Sequence, residues 1–196
     1  FGSEGDGPLV TFPYSRAADG TVHRTFAIRP GLDFDRLVAE ARMRGIGIVM
    51  DLVINHTSDE HPWFQKALSG DEKYKNYYII QKGKDGGLPN NWGNFFALCP
   101  WSKFGDSEDE YYLHLFAEKQ PDLNWHNPEV MEEIKDIMRF WLDKGVVGFR
   151  CDVINIIYKN TLADGKKQLA LTGQEHYLST PGCHEILKEL RRHVLE

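Results

Sequence analysis

Arg150 and Asp152 stand two residues apart in GVVGFRCDVIN, residues 145–155, an apolar run that ends in charge. Side chains along a strand alternate between its faces, so the two point the same way. An apolar strand gains nothing structurally from a guanidinium and a carboxylate on one face. The pair suits a nucleophilic carboxylate, because a neighbouring cation favours the ionised form that attacks. A second polar cluster, Asp51, Asn55 and His56, lies within and just after another apolar run, residues 46–54.

Two elements of one design position these clusters. Upstream, Phe34, Leu37, Val38 and Ala41 share one helical face, Gly45 stops the helix, and the run 46–54 reads as a strand covered on both faces. Downstream, Asn127 is the expected N-cap and Pro128 the first helical residue. Val130, Ile134, Ile137, Met138 and Trp141 form the apolar stripe, and Gly145 ends the helix before the strand. Helix, glycine, strand and polar cluster thus occur twice, which describes an α/β fold: a β/α (TIM-type) barrel or an open doubly wound sheet. Neither unit carries a Gly-rich phosphate loop, so nucleotide binding loses ground and the barrel is favoured.

Residues 57–126 separate the two strands, far beyond the usual connection of about 2–6 residues. The segment is dense in aromatics, among them Trp63, Phe64, Tyr77, Tyr78, Trp92, Trp101, Tyr112 and Trp125, and carries turn signals at residues 84–91, 104–107 and 120–122. It reads as an aromatic-rich subdomain inserted after one barrel strand, with its own strand over residues 111–116. Most of the aromatics serve as its core, and the remainder offer a platform for sugar rings. The expected organisation is an unassigned segment 1–30 with one short strand at 21–28, then barrel helix and strand over 31–56. The inserted subdomain follows over 57–126, and barrel helix, nucleophile strand and following helix over 127–196.

DLVINHTSDEHPWF, NNWGNFF, YYLHLFAEKQPDLNW and GFRCDVIN, in this order and spacing, resemble the α-amylase clan of glycoside hydrolases. The likeness is strongest to the α-glucosidase and oligo-1,6-glucosidase branch and runs from about residue 33 to 196. It implies that Asp152 is a catalytic nucleophile forming a covalent glucosyl intermediate, and that Arg150 orients it. It implies that His56 hydrogen-bonds the glucose being cleaved, that Asp51 and Asn55 shape the pocket, and that Val153 marks a preference for α-1,6 bonds. The substrate is then a short α-glucoside that loses its terminal glucose, with no cofactor and no metal.

A retaining mechanism also needs a proton donor, with the two carboxyl groups about 5–5.5 Å apart. In the resembled family that donor is a glutamate at the end of the next strand, with a His-Asp pair later, and Glu196 closes a helical pattern (residues 183–195) instead. A complete barrel takes about 250 residues, and this chain has 196. The expectation is therefore a fragment, inactive in isolation and prone to aggregate through exposed sheet edges. Val147 stands where relatives of this type carry an aspartate, and NFFALCPW departs from their Gly- and Ser-rich stretch. The alternatives are a non-catalytic barrel relative and, within the enzymes, a trehalose-6-phosphate hydrolase or a sucrose isomerase. Retention of Asp51, His56, Arg150 and Asp152 favours the enzyme.

A net charge of -6 with 41% hydrophobic residues offers no basic patch for nucleic acid and no membrane span. Three cysteines, Cys99, Cys151 and Cys183, favour reduced thiols in the cytoplasm, with Cys151 read as core packing. His56 and His61 lack the spacing of a metal site. His114 and His126 are expected to be structural, while His176 and His184 flank a loop placed to reach the barrel mouth. Lys159, Lys166 and Lys167 are expected on a solvated surface.

Overall fold

The repeated helix–glycine–strand design is visible in the computed structural model, which describes residues 15–16, 22–23, 32–96 and 98–196. A two-residue ribbon, β1 (Ser15–Arg16) with β2 (Val22–His23), is antiparallel. The remainder of the strand expected over 21–28 lies outside the described residues. Helix α1 (Leu32–Met43) buries Phe34, Val38 and Ala41 along one face. Its end is closed by two backbone bonds, Gly45 N–H to Arg42 and Ile46 N–H to Ala41, and Gly45 takes a φ of +69°. Strand β3 (Val49–Val53) follows.

The inserted segment opens with α2 (Pro62–Leu68) and α3 (Glu72–Lys75), then builds a three-stranded antiparallel sheet in the order β4 (Ile80–Lys82), β6 (Glu110–Leu113), β5 (Trp101–Lys103). The pairing sets Ile80 opposite Tyr112 and Trp101 opposite Leu113. The turn signals at 84–91 and 104–107 become turns, with Gly87 N–H on Lys84 and Ser107 N–H on Phe104, whereas at 120–122 Asp122 forms an isolated bridge with His56. The strand expected over 111–116 stops at Leu113, because the Leu115 N–H leaves the ladder for the Asp122 carboxylate at 3.1 Å. Phe64 is the hub of the aromatic core, edge-on to Tyr78 at 4.9 Å and Tyr112 at 5.2 Å, with Phe104 at 6.0 Å.

Helix α4 (Pro128–Asp143) starts as its sequence demands: Asn127 Oδ1 accepts the Glu129 N–H at 2.9 Å. Val130, Ile134 and Met138 lie buried at four-residue spacing. Gly145, at φ +92°, ends it, and a Cβ there would come 2.7 Å from Val38 Cγ1, so backbone and neighbour both exclude a side chain. Strand β7 (Gly148–Asp152) runs beside β3 as its hydrogen-bonded neighbour. A 3₁₀ turn (Ile154–Ile156), a second (Gln174–His176), α5 (Pro181–Leu190) and a π-type turn (Arg191–Leu195) complete the order.

Two expectations need correction. The run 46–54 is not covered on both faces: Ile46, Val49 and Val53 are 56%, 57% and 42% exposed. Cys151 is exposed rather than packed in a core. The reason is common to both, since among the described residues β3 and β7 have only each other as strand neighbours. The molecule divides into two compact units, the described residues through Met50 with Trp141–Gly148, and Asp51–Phe140 with Phe149–Glu196. The first has a small core of Phe34, Val38, Ala41 and Val146, and Phe34 meets Trp141 edge-on at 5.0 Å. The second holds the two larger apolar clusters, one centred on Phe64, Leu123 and Ile134 and the other on Trp92, Leu115 and Tyr177.

Phe64→Ala removes the ring on which three others converge and is expected to destabilise the second unit by about 3–5 kcal/mol. Urea denaturation followed by tryptophan fluorescence measures this, and a loss below about 1 kcal/mol contradicts the assignment of Phe64 as the hub.

Candidate active site

Period-two geometry at the end of β7 brings Arg150 and Asp152 together: Arg150 Nη1 lies 2.5 Å from Asp152 Oδ1. The same nitrogen donates to Asp51 Oδ1 on β3 at 2.9 Å. One guanidinium therefore spans carboxylates from neighbouring strands. Both carboxylates raise the arginine's pKa, the Asp51 hydrogen bond most, so the cation persists at every working pH. With Arg150 63% exposed, solvent screens these bonds and they add little to stability. Their consequence is orientation.

Cys151 points the other way along the strand, and burial with the nearby Asp51 charge pushes its thiol up, opposed by Arg150. Directly after Asp152, Val153 adopts φ 41°, ψ 34°. A β-branched residue in the left-handed region is strained, and this is where the chain turns from the strand into the 3₁₀ turn.

The second cluster is assembled from three segments. His56, just beyond β3, forms an isolated bridge with Asp122. Its ring packs 5.4 Å from Phe116, which in turn stacks on Phe95 at 4.9 Å. Thr57 Oγ1 meets the Tyr78 hydroxyl at 2.8 Å. Burial holds the His56 pKa below its ordinary value; Lys159 adds to the depression, while Asp122 and Asp152 oppose it.

Beneath His56 lies the largest departure from expectation. Lys159 is not a solvated surface lysine: its side chain is 1% exposed, and its ammonium is 2.6 Å from Asp122 Oδ2, which is fully buried. It also donates to Asn55 Oδ1 at 2.8 Å. The Asp122 contact is an ion pair more than a well-aligned hydrogen bond, and the other Asp122 oxygen accepts the Leu115 N–H. A charge enters an interior only when paired, and here the 3₁₀ turn after β7 delivers Lys159 to the buried Asp122 carboxylate. Removing either partner from such a pair typically costs about 3–5 kcal/mol. Lys166 and Lys167 are exposed, as expected.

The structure thus brings Asp51, Arg150 and Asp152 into contact, and Asn55 into contact with His56. It adds Gln120, whose Nε2 is 3.0 Å from His56 Nε2, and Phe116, Asp122 and Lys159, none of which the sequence assigned to the site. Asp122 and Gln120 lie within the motif QPDLNW, so a signal was present. Lys159 gave a weaker one, a lysine directly after the apolar residues Ile156, Ile157 and Tyr158. Tyr177 is fully buried against Trp92 and Phe95, its hydroxyl without a hydrogen-bond partner among the described residues. Burial, with the Asp122 and Glu175 charges, pushes its phenol up to about 12.

The remaining histidines have local roles. His61 caps α2 by accepting the Trp63 N–H, His114 bonds Ser102 and the Phe116 carbonyl, and His126 bridges the Lys159 carbonyl and Tyr158. His176 stacks on Trp92 at 5.8 Å, and His184 is exposed on α5. Among the described residues no three His, Cys, Asp or Glu side chains converge as a metal site.

Comparison with known proteins places this geometry in context. Residues 23–196 match the family described as alpha amylase, catalytic domain. The oligo-1,6-glucosidase of Parageobacillus thermoglucosidasius is 50% identical over 168 residues, covering 83% of this chain and 30% of that protein. The crystal structure of Bacillus licheniformis trehalose-6-phosphate hydrolase superposes with a TM-score of 0.78 at 42% identity, over 83% of this chain and 29% of that one. The isomaltulose synthase of Erwinia rhapontici NX5 gives 0.75 at 43% identity for one of its mutants, and 0.75 at 42% for the unmutated enzyme, again over 83% and 29%. The chain spans about 30% of the length of the curated relative it matches.

Burial lowers the pKa of both His56 and His61 from 6.5. Below that value the unfolded chain takes up protons that the folded chain refuses, so their contribution to stability is full above 6.5, begins to be lost there and goes on being lost as pH falls through the lower folded-state values. Denaturation midpoints are expected to drop between about pH 7.5 and 5.5. They are expected to drop less in a variant combining His56→Gln with His61→Asn, because the amide introduced at position 61 still accepts the Trp63 N–H and keeps the cap of α2. An equal drop in both proteins contradicts the assignment.

Proposed function

Because the chain belongs to the α-amylase catalytic-domain family, whose fold is a β/α barrel, we propose that it carries the nucleophile side of a retaining α-glucosidase site. One observation carries this reading: Asp152 stands at the C-terminal end of a strand, its carboxylate held by an arginine that is itself tied to the next strand through Asp51. Catalytic groups of barrel enzymes occupy that position.

In this reading an Asp152 oxygen attacks the anomeric carbon as the leaving sugar is protonated by a second carboxyl group, and water then releases glucose from the covalent intermediate. Arg150, in contact with that carboxylate, keeps the attacking oxygen aimed. His56, kept neutral by burial, donates or accepts a hydrogen bond with a hydroxyl of the glucose without adding a charge that would repel the developing oxocarbenium ion. Asp51 and Asn55 act through Arg150 and His56 respectively. The proton donor is expected on the barrel strand that follows, as the resemblance implies.

The substrate is a small oligosaccharide, with isomaltose-type α-1,6 glucosides preferred on account of Val153. The relative at 50% identity is an oligo-1,6-glucosidase, which supports that choice over phosphorylated trehalose or sucrose isomerisation. Neither nucleic acid nor membrane is a partner in this reading, and no helix among the described residues is long and apolar enough to cross a membrane. Three unpaired cysteines, two of them exposed, fit the cytoplasm.

In the complete protein, Asp152→Asn is expected to lower kcat on isomaltose by a factor on the order of 10⁴, with KM little changed, since the lost interaction belongs to the transition state. Wild-type hydrolysis rates on isomaltose, trehalose-6-phosphate and sucrose rank the substrates. Full activity of the Asp152→Asn variant would falsify the nucleophile, and faster cleavage of trehalose-6-phosphate would overturn the linkage preference.

A further inference from the structure

His56 stands between two side-chain amides, with Nδ1 3.2 Å from Asn55 Nδ2 and Nε2 3.0 Å from Gln120 Nε2. A neutral imidazole has one N–H and one lone pair, so it accepts from one of these NH₂ groups and not from both. The choice depends on what holds each amide's oxygen. Asn55 Oδ1 receives the Lys159 ammonium at 2.8 Å, and an ammonium donates without accepting, so Asn55 cannot turn its NH₂ toward it. Lys159 is in turn held at 2.6 Å by the buried Asp122 carboxylate. Among the described residues Gln120 Oε1 receives the neutral Ala117 backbone N–H, at 3.2 Å. Hydrogen bonds from a charged donor are roughly twice as strong as neutral ones, so the Asn55 orientation prevails. Its NH₂ faces Nδ1, which keeps the lone pair.

We propose that Lys159 is a positioning residue for His56, acting through the Asn55 amide to fix the tautomer that carries its proton on Nε2, so that His56 meets a sugar hydroxyl as a neutral donor. The proposal rests on the reading that the pocket binds a sugar, and adds how the histidine is prepared for it. The charged groups acting on the ring pull in both directions. Asp122 beside Gln120 and Asp152 at the end of β7 favour a second proton, while Lys159 and burial oppose it, and the balance lies on the neutral side. Geometry works in the same direction, because a doubly protonated ring would turn an N–H against the locked Asn55 NH₂. The contact with Gln120 is then donor against donor. A hydroxyl oxygen accepting from Nε2–H relieves it, as does a half turn of Gln120.

The test is the His56 tautomer in the complete protein, labelled with ¹⁵N-histidine, its signal assigned by its loss in His56→Gln and observed through long-range ¹H–¹⁵N correlations over a pH series. The expected wild-type pattern is the proton on Nε2 and a midpoint below the ordinary histidine value. Asn55→Asp replaces the NH₂ with a carboxylate oxygen that only accepts, so the proton is expected to move to Nδ1 and the midpoint to rise. Lys159→Met removes the ammonium that fixes the Asn55 oxygen, so the amide is free to turn that oxygen toward His56, and the same switch is expected. Should Lys159→Met fail to fold, the wild-type tautomer and Asn55→Asp still decide the matter.

A wild-type proton on Nδ1 overturns the proposal, as does an Asn55→Asp variant or a folded Lys159→Met variant that keeps the proton on Nε2. A lysine with a merely structural role lowers stability and leaves the proton where it was. The readout needs no turnover, so an inactive enzyme leaves the tautomer standing, and a failed tautomer leaves the glucosidase reading standing.

Discussion

The buried ion pair between Lys159 and Asp122 is the constraint on which the second unit depends. With the lysine side chain 1% exposed and the aspartate fully buried, neither charge has water to fall back on, so the surrounding segments are held where they satisfy both. Asp122 Oδ1 takes the Leu115 N–H and thereby ends β6. Its backbone carbonyl takes the Ile79 N–H, and the Leu123 N–H returns to the Asn55 carbonyl. Trp125 Nε1 donates to the Ile54 carbonyl at 2.8 Å. The inserted segment is in this way stitched onto the end of β3, and the residue after Asn55 is His56. The polar interior that holds the insertion is continuous with the site.

The two halves of the site are built on opposite electrostatic terms. Around Lys159 the low-dielectric interior makes each hydrogen bond strong and each orphan costly, which produces one arrangement of side chains. Around Arg150 the charges face solvent, so the same kind of contact adds little stability and serves to aim a carboxylate. Val153, held in left-handed backbone at the junction, joins β7 to the turn that carries Lys159 inward. Strain at that junction is sustained by Ile156 and Ile157, both buried, which anchor the turn.

Much of this was legible in the residues. Alternation along the strand put Arg150 and Asp152 on one face, and the structure has them in contact. Asn127-Pro128 and Gly145 bounded α4, and the pattern ending at Gly45 bounded α1. Family membership and the barrel followed from four ordered motifs. The misreadings have a shared origin in burial, which is a property of what lies opposite. An apolar run cannot state whether its partners are present, so β3 read as covered and is exposed. A lysine cannot state whether a carboxylate far upstream waits for it, so Lys159 read as exposed and is buried. Asn55 was legible as a pocket residue, but not the reason its amide has only one orientation.

The central claim is that the Asp152 carboxylate is the group that bonds to the sugar. The most direct measurement is to treat the complete protein with a fluorinated α-glucosyl fluoride, which glycosylates a retaining enzyme faster than water releases it, and to map the added mass by peptide mass spectrometry. The account predicts one glucosyl label on the peptide bearing Asp152, on that residue. A label on a different carboxylate, or steady turnover of substrate with no trapped intermediate, would contradict it.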